Sequence, residues 1–178
     1  MSKVLIFPTD TVYGIGTPIF DVEGIRRIYE IKHRDKAKPL ACLCADMKQI
    51  EEIACLNDMA RKLIVRFFPG ALTLILKSRQ CVYDAIGYPT IGVRIPNHET
   101  ALQILRENGP MLTTSVNESG NAPLNEYEEI VKQYGLLVDK IYDTATVSSN
   151  ISSTVVLCTG EKPVILRQGE IKITESDV

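Results

Sequence analysis

Tryptophan is absent from this sequence, histidine occurs twice, and no apolar run approaches the roughly 20 residues needed to cross a bilayer as a helix. The run from Val4 to Phe7 ends at Pro8 and is too brief for the core of a signal peptide, so a cytoplasmic protein with no membrane partner is expected. There is no surplus of either charge. Twenty Lys and Arg stand against 22 Asp and Glu, a net charge of −2, which argues against bulk electrostatic binding of nucleic acid. Any anion site must be local. The five cysteines (Cys42, Cys44, Cys55, Cys81, Cys158) are odd in number, and Cys42-Leu43-Cys44 lacks the C-x-x-C spacing of zinc or thioredoxin-like sites. They are expected as small apolar side chains, and no metal site is expected. Equally absent are the phosphate loop G-x-x-x-x-G-K-S/T, a G-x-G-x-x-G after a strand, and a G-x-S-x-G elbow. Of the imidazoles, His33 has no evident partner and His98 fits the start of a helix. No side-chain nucleophile suggests itself. Chemistry by positioning and charge neutralisation, such as phosphoryl or nucleotidyl transfer, fits better than a triad hydrolase.

What remains is an ordinary globular composition, 45% apolar and 24% charged, over a length suited to one domain spanning residues 1–178. Apolar β runs are predicted at Val4 to Phe7, Val12 to Gly16, Leu40 to Ala45, Leu72 to Leu76, Ile91 to Ile95 and Met111 to Ser115. Three shorter ones follow at Lys140 to Asp143, Ser153 to Leu157 and Val164 to Arg167. Between them lie helices from about Val22 to Lys32, capped by Asp21; from Asp46 to Ala54; from Asp58 to Phe67, capped by Asn57; and from Glu99 to Asn108. Asn125 and Glu128 have capping-box spacing for a helix ending at Tyr134. The shape of residues 77–90 is left open, and the tail after Gly169 is expected to be loose. Interleaved strands and helices without repeats predict an α/β fold, one twisted, mixed open sheet flanked by helices.

The segment Lys32-His33-Arg34-Asp35-Lys36-Ala37-Lys38-Pro39 places a cation at every second position. If extended, it presents four on one face, a row for a polyanion; it also suits a solvated loop or a charged sheet edge. Pro39 pushes Lys38 towards extended geometry. Further polar groups fall at the ends of β runs: Thr9, Thr11, Arg94, Ser115, Asn117 and Arg167. Ligands of open α/β sheets lie beyond the carboxyl ends of strands, which is where these groups predict a site. Singly, each also suits a capped turn or a surface ion pair. Together, cations, hydroxyls and amides suit phosphates.

Seven segments carry a resemblance. Pro8-Thr9-Asp10-Thr11-Val12-Tyr13-Gly14, Lys32-x-Arg34 with Pro39-Leu40, Pro69-Gly70-Ala71-Leu72-Thr73, Gly92-Val93-Arg94-Ile95-Pro96, Thr114-Ser115-Val116-Asn117-x-Ser119-Gly120, Ser153-Thr154-Val155 and Arg167-x-Gly169 occur in the order of the YrdC-like threonylcarbamoyl-AMP synthases. The resemblance spans nearly the whole chain and is to the minimal, single-domain form. It implies that L-threonine, bicarbonate and ATP, with Mg2+ accompanying the ATP and no tightly bound cofactor, give threonylcarbamoyl-AMP and pyrophosphate. A downstream threonylcarbamoyl transferase complex would use the product to modify adenosine in tRNAs that read codons starting with A. It further implies that Lys32 and Arg34 act on the ATP phosphates as catalytic cations, aided by Ser115 and Asn117. Arg94, Ser153 and Arg167 would hold the rest of the nucleotide, and Thr9 with Thr11 would seat threonine. The alternative is a non-catalytic paralogue in translation that binds tRNA or double-stranded RNA. Asp35 stands where many members have Pro and Val116 where Ala is common, and Asp35 is expected to face away from the cation row.

Overall fold

The structure, a computed structural model, describes residues 2–144 and 148–177. Ten strands among these residues form one mixed sheet: β1 (Leu5–Phe7), β2 (Gly14–Pro18), β3 (Ala41–Leu43), β4 (Ala54–Cys55), β5 (Leu72–Ser78), β6 (Thr90–Arg94), β7 (Met111–Ser115), β8 (Lys140–Ile141), β9 (Thr154–Leu157) and β10 (Val164–Arg167). Six α-helices connect them: α1 (Val22–Ile31), α2 (Met47–Ile53), α3 (Asp58–Phe67), α4 (Gln80–Ile86), α5 (Glu99–Asn108) and α6 (Tyr127–Tyr134). The strand order is β10-β9-β5-β6-β3-β7-β2-β1-β8, with β4 on β5. The α/β class and mixed sheet are as the sequence predicts.

Helix starts follow capping chemistry. Asp21 accepts the Gly24 N–H at 2.8 Å, Asp46 that of Gln49 at 2.9 Å, and Asn57 that of Ala60 at 2.8 Å; each satisfies a donor that the first turn leaves unpaired. The capping box at Asn125 does not form. Glu126 is the N-cap residue of α6, without a side-chain bond, and Asn125 Oδ1 accepts the Tyr13 N–H at 3.1 Å instead. The segment left open holds α4, closed by Gly87 in the left-handed conformation.

The tail is not loose. Thr154 Oγ1 donates to the Ile171 carbonyl at 2.7 Å, Ile171 and Ile173 pack against the core, and Asp177 pairs with Arg66 of α3 at 2.5 Å. Packing of two half-buried isoleucines and a paired carboxylate holds the tail in place.

The two faces of the sheet are covered unequally. Ile28 and Tyr29 of α1, Ile50 and Ile53 of α2, Leu63 of α3, Val82 of α4 and Ile130 of α6 pack on one face, against Ile6, Ile15, Cys42, Leu74, Val93, Leu112 and Val156. On the other face α5 alone sets Ala101, Ile104 and Leu105 on Leu5, Phe7, Leu43 and Met111. Because side chains alternate across a strand, the neighbours of these core residues point to whatever α5 leaves uncovered.

Candidate active site

What α5 leaves uncovered is a cleft of about 360 Å3, within the ordinary range for a small-molecule site. Its floor is the alternate set of strand residues: Gly14 of β2, Ala41 and Leu43 of β3, Thr73 and Ile75 of β5, Gly92 and Arg94 of β6, Thr113 and Ser115 of β7, Val155 of β9. Loop residues Thr9, Thr11, Tyr13, Arg34 and Ser153 complete it with Arg167. The site therefore spreads across a sheet face and does not lie beyond strand ends as expected. The reason is topological. β5 and β6, β2 and β7, and β3 and β7 are antiparallel pairs, so the strands share no common carboxyl edge.

Arg94 is the most enclosed of the three arginines that line the cleft. It is 6% exposed, and its guanidinium is fixed on three sides: Nε donates to Gly70 O at 2.9 Å, Nη1 to Thr11 Oγ1 at 2.9 Å, and Nη2 to Asp10 Oδ1. Burial pulls its pKa down from the usual arginine value, Asp10 opposes that, and Arg167 adds to the lowering. Thr9 Oγ1 donates to Val12 O at 2.7 Å and lies 3.1 Å from Thr11 Oγ1, so the two threonines are linked to each other and, through Thr11, to Arg94. Arg167 donates through Nε to Ser153 O at 3.0 Å and through Nη2 to Ser153 Oγ at 3.2 Å, and Ser153 Oγ lies 2.8 Å from Thr73 Oγ1. Burial lowers the Arg167 pKa as well. Gly169 makes this contact feasible: a Cβ there would lie 2.3 Å from Ser152 O and 2.6 Å from Thr154 N.

The basic segment is a folded loop, which corrects its reading as an extended row. Lys32 caps α1 in helical geometry and His33 has φ of 47°, so the chain turns before Pro39 can impose extension. Lys32 points inward. It is 1% exposed, and Nζ donates to Ser115 O, to Asn117 O at 2.7 Å and to Asn117 Oδ1 at 2.9 Å. Burial, with help from Arg34, brings its pKa down to about 8. Arg34 turns the other way, to the cleft, with Nε on Lys38 O at 3.0 Å and Nη2 on Pro39 O at 3.2 Å. Lys36 and Lys38 are exposed. Asp35 is exposed and does not line the cleft. Its Oδ1 accepts the Ala37 N–H at 2.9 Å and shapes the turn.

Seven of the nine candidates from the sequence line the cleft: Thr9, Thr11, Arg34, Arg94, Ser115, Ser153 and Arg167. Lys32 and Asn117 do not line it; they stand one layer behind, bonded to the segment that carries Ser115. Sequence reasoning missed Thr73, Gly92, Thr113 and Tyr13. The usable signal was a small or hydroxyl residue at every second place of an otherwise apolar strand, as in Leu72-Thr73-Leu74 and Ile91-Gly92-Val93. His98 is the residue before α5, as expected; it is 6% exposed with burial lowering its pKa, and its Nδ1 has no hydrogen-bond partner among the described residues.

Residues 1–169 match the model of the Sua5, YciO and YrdC proteins, described as "Telomere recombination". This chain belongs to the Sua5/YciO/YrdC family. Threonylcarbamoyl-AMP synthase of Bacillus subtilis strain 168 is 35% identical over 178 residues, covering 96% of this chain and 51% of that protein. A protein of Methanocaldococcus jannaschii, provisionally named for the same activity, is 36% identical over 174 residues, covering 97% of this chain and 82% of its own length. Among solved structures, Pyrococcus abyssi Sua5 complexed with L-threonine superposes with a TM-score of 0.88 at 34% identity, over 94% of this chain and 50% of that one. Escherichia coli YciO does so with 0.84 at 28% identity, over 94% and 84%. The chain thus spans about half the length of the Bacillus and Pyrococcus relatives and most of the other two.

Proposed function

We propose that this member of the Sua5/YciO/YrdC family makes threonylcarbamoyl-AMP and pyrophosphate from L-threonine, bicarbonate and ATP. The observation that carries the proposal is the convergence of Arg34, Arg94 and Arg167 with the hydroxyls of Thr9, Thr11, Ser115 and Ser153 on one cleft, in a protein whose net charge is −2. Such a constellation gathers phosphate charge locally. The relative named threonylcarbamoyl-AMP synthase and the Sua5 structure holding L-threonine support this choice of product and of amino acid, and ATP and bicarbonate follow from the family resemblance.

On this reading the threonine amine adds to the carbon of bicarbonate-derived CO2 and loses a proton, giving a carbamate. A carbamate oxygen then attacks the α-phosphorus in line, and the bond to the bridging oxygen of the β-phosphate breaks. Pyrophosphate leaves with its charge held by Arg34, which lines the cleft. Arg94 and Arg167 hold the nucleotide, each fixed beforehand by protein acceptors, which is how preorganised cations lower a barrier without reorganising during reaction. Ser115 assists at the phosphates, and Thr9 with Thr11 seats threonine. Lys32 contributes by fixing the Ser115 to Asn117 segment, its ammonium being spent on two carbonyls and the Asn117 side chain there. Among the described residues no group of three His, Cys, Asp or Glu is placed to hold a metal, and Asp10 is engaged by Arg94. On this reading Mg2+ would arrive with the phosphates of ATP and add to charge neutralisation. The adenylate would then pass to a transferase acting on tRNA.

Pyrophosphate release from ATP and Mg2+, with threonine and bicarbonate added separately and together, tests the proposal. Release is expected only when both are present. In Arg34→Ala it is expected to fall about 10- to 100-fold, the value of one charge-assisted phosphate contact. Release that ignores either co-substrate contradicts the assignment.

A further inference from the structure

The loop that carries Arg34 is held by two phenols, and the geometry allows their hydrogen bonds only one direction. The Leu40 N–H can only donate, and it reaches Tyr88 Oη at 3.2 Å. The Lys38 carbonyl can only accept, and Tyr29 Oη lies 3.0 Å from it. Tyr29 must therefore spend its proton on Lys38. The bond of 2.9 Å between the two hydroxyls then runs from Tyr88 to Tyr29. The same Lys38 carbonyl takes Arg34 Nε, and Pro39 O takes Nη2, with the guanidinium beside the Tyr29 hydroxyl. The chain thus runs from Leu40 through Tyr88 and Tyr29 to the carbonyl that orients the guanidinium.

We propose that the Tyr29 and Tyr88 hydroxyls form a latch that positions Arg34 at the cleft. The two phenols belong to different parts of the fold. Tyr29 sits on the last turn of α1, 8% exposed, and Tyr88 follows Gly87 at the end of α4, two residues before the start of β6. Bonds between them tie the exposed loop of residues 35–39 to both elements. Successive bonds of one direction polarise one another, so the chain acts as a unit. Both tyrosines are positioning residues; neither lines the cleft.

The latch rests on the proposed role of Arg34, and its test separates the two. Tyr29→Phe and Tyr88→Phe keep the packed rings and remove only the hydroxyls. With either, KM for ATP should rise about three- to ten-fold, the worth of one hydrogen bond, with kcat falling less than KM rises and KM for threonine unmoved. The double variant should be little worse than Tyr29→Phe alone. Independently of turnover, trypsin should cut the Lys36–Ala37 bond faster in both variants without substrate. Wild-type KM for ATP and a wild-type cutting rate in Tyr29→Phe would overturn the latch. Faster cutting in the variants, from a wild-type protein that releases no pyrophosphate, would uphold the latch and overturn the proposed function.

Discussion

Lys32 spends all three ammonium hydrogens on Ser115 and Asn117, inside the protein, and this has a consequence for pH. Its folded pKa of about 8 lies below the ordinary 10.5, so between those values the unfolded chain binds more protons than the native one. Stability contributed at this position must therefore rise with pH across that window. In denaturation followed from pH 7.5 to 10.5, the wild type should gain on Lys32→Met by up to about 3 kcal/mol; a difference that stays flat or shrinks would contradict the lowered pKa. Seven residues that line the cleft were legible, as hydroxyls and arginines grouped at the ends of apolar runs or in the basic segment, with Ser153 among them through the family resemblance alone. Their division of labour was not. Which of Lys32 and Arg34 faces the cleft depends on a turn at His33, with positive φ, that no local pattern announces.

At the scale of elements, α1 is what brings the Lys32 to Arg34 segment to the sheet, and it does so by close approach at Gly24. A Cβ there would sit 2.0 Å from Thr17 Oγ1 and 2.9 Å from the Asp21 carboxylate that caps the helix. Gly24→Ala must push α1 off β2 or break the cap, at a cost of about 1–3 kcal/mol. Urea denaturation should show that loss together with a raised KM for ATP, since the Arg34 loop moves with the helix. An unchanged midpoint would mean that α1 is not held as described. Helices with side-chain caps, α1, α2 and α3, could be placed from sequence to within a residue or so at each end. α4 could not, being seven residues long and without a side-chain cap bond. Asn125 misled because its side chain was drawn to the Tyr13 N–H, a partner 112 residues away that local spacing cannot reveal.

For the molecule as a whole, the decisive feature is a sheet with one face sealed by five helices and the other left half open by one. The interleaved pattern of strands and helices reveals the fold class but not this lopsidedness, which depends on the antiparallel pairings that also removed any common strand-end crevice. Three arginines on that open face, in a protein of net charge −2, make binding of a polyphosphate sensitive to salt. KM for ATP should climb as salt is raised from 50 to 500 mM, with KM for threonine changing less; parallel changes would disconnect the cleft from the phosphates. No helix among the described residues is long and apolar enough to cross a membrane. The most direct measurement is the mass of the product formed from ATP, threonine and 13C-labelled bicarbonate. The account predicts an adenylate carrying threonine and one labelled carbon, formed in step with pyrophosphate and lost in Arg34→Ala. Unchanged ATP, or AMP without threonine and label, would contradict it.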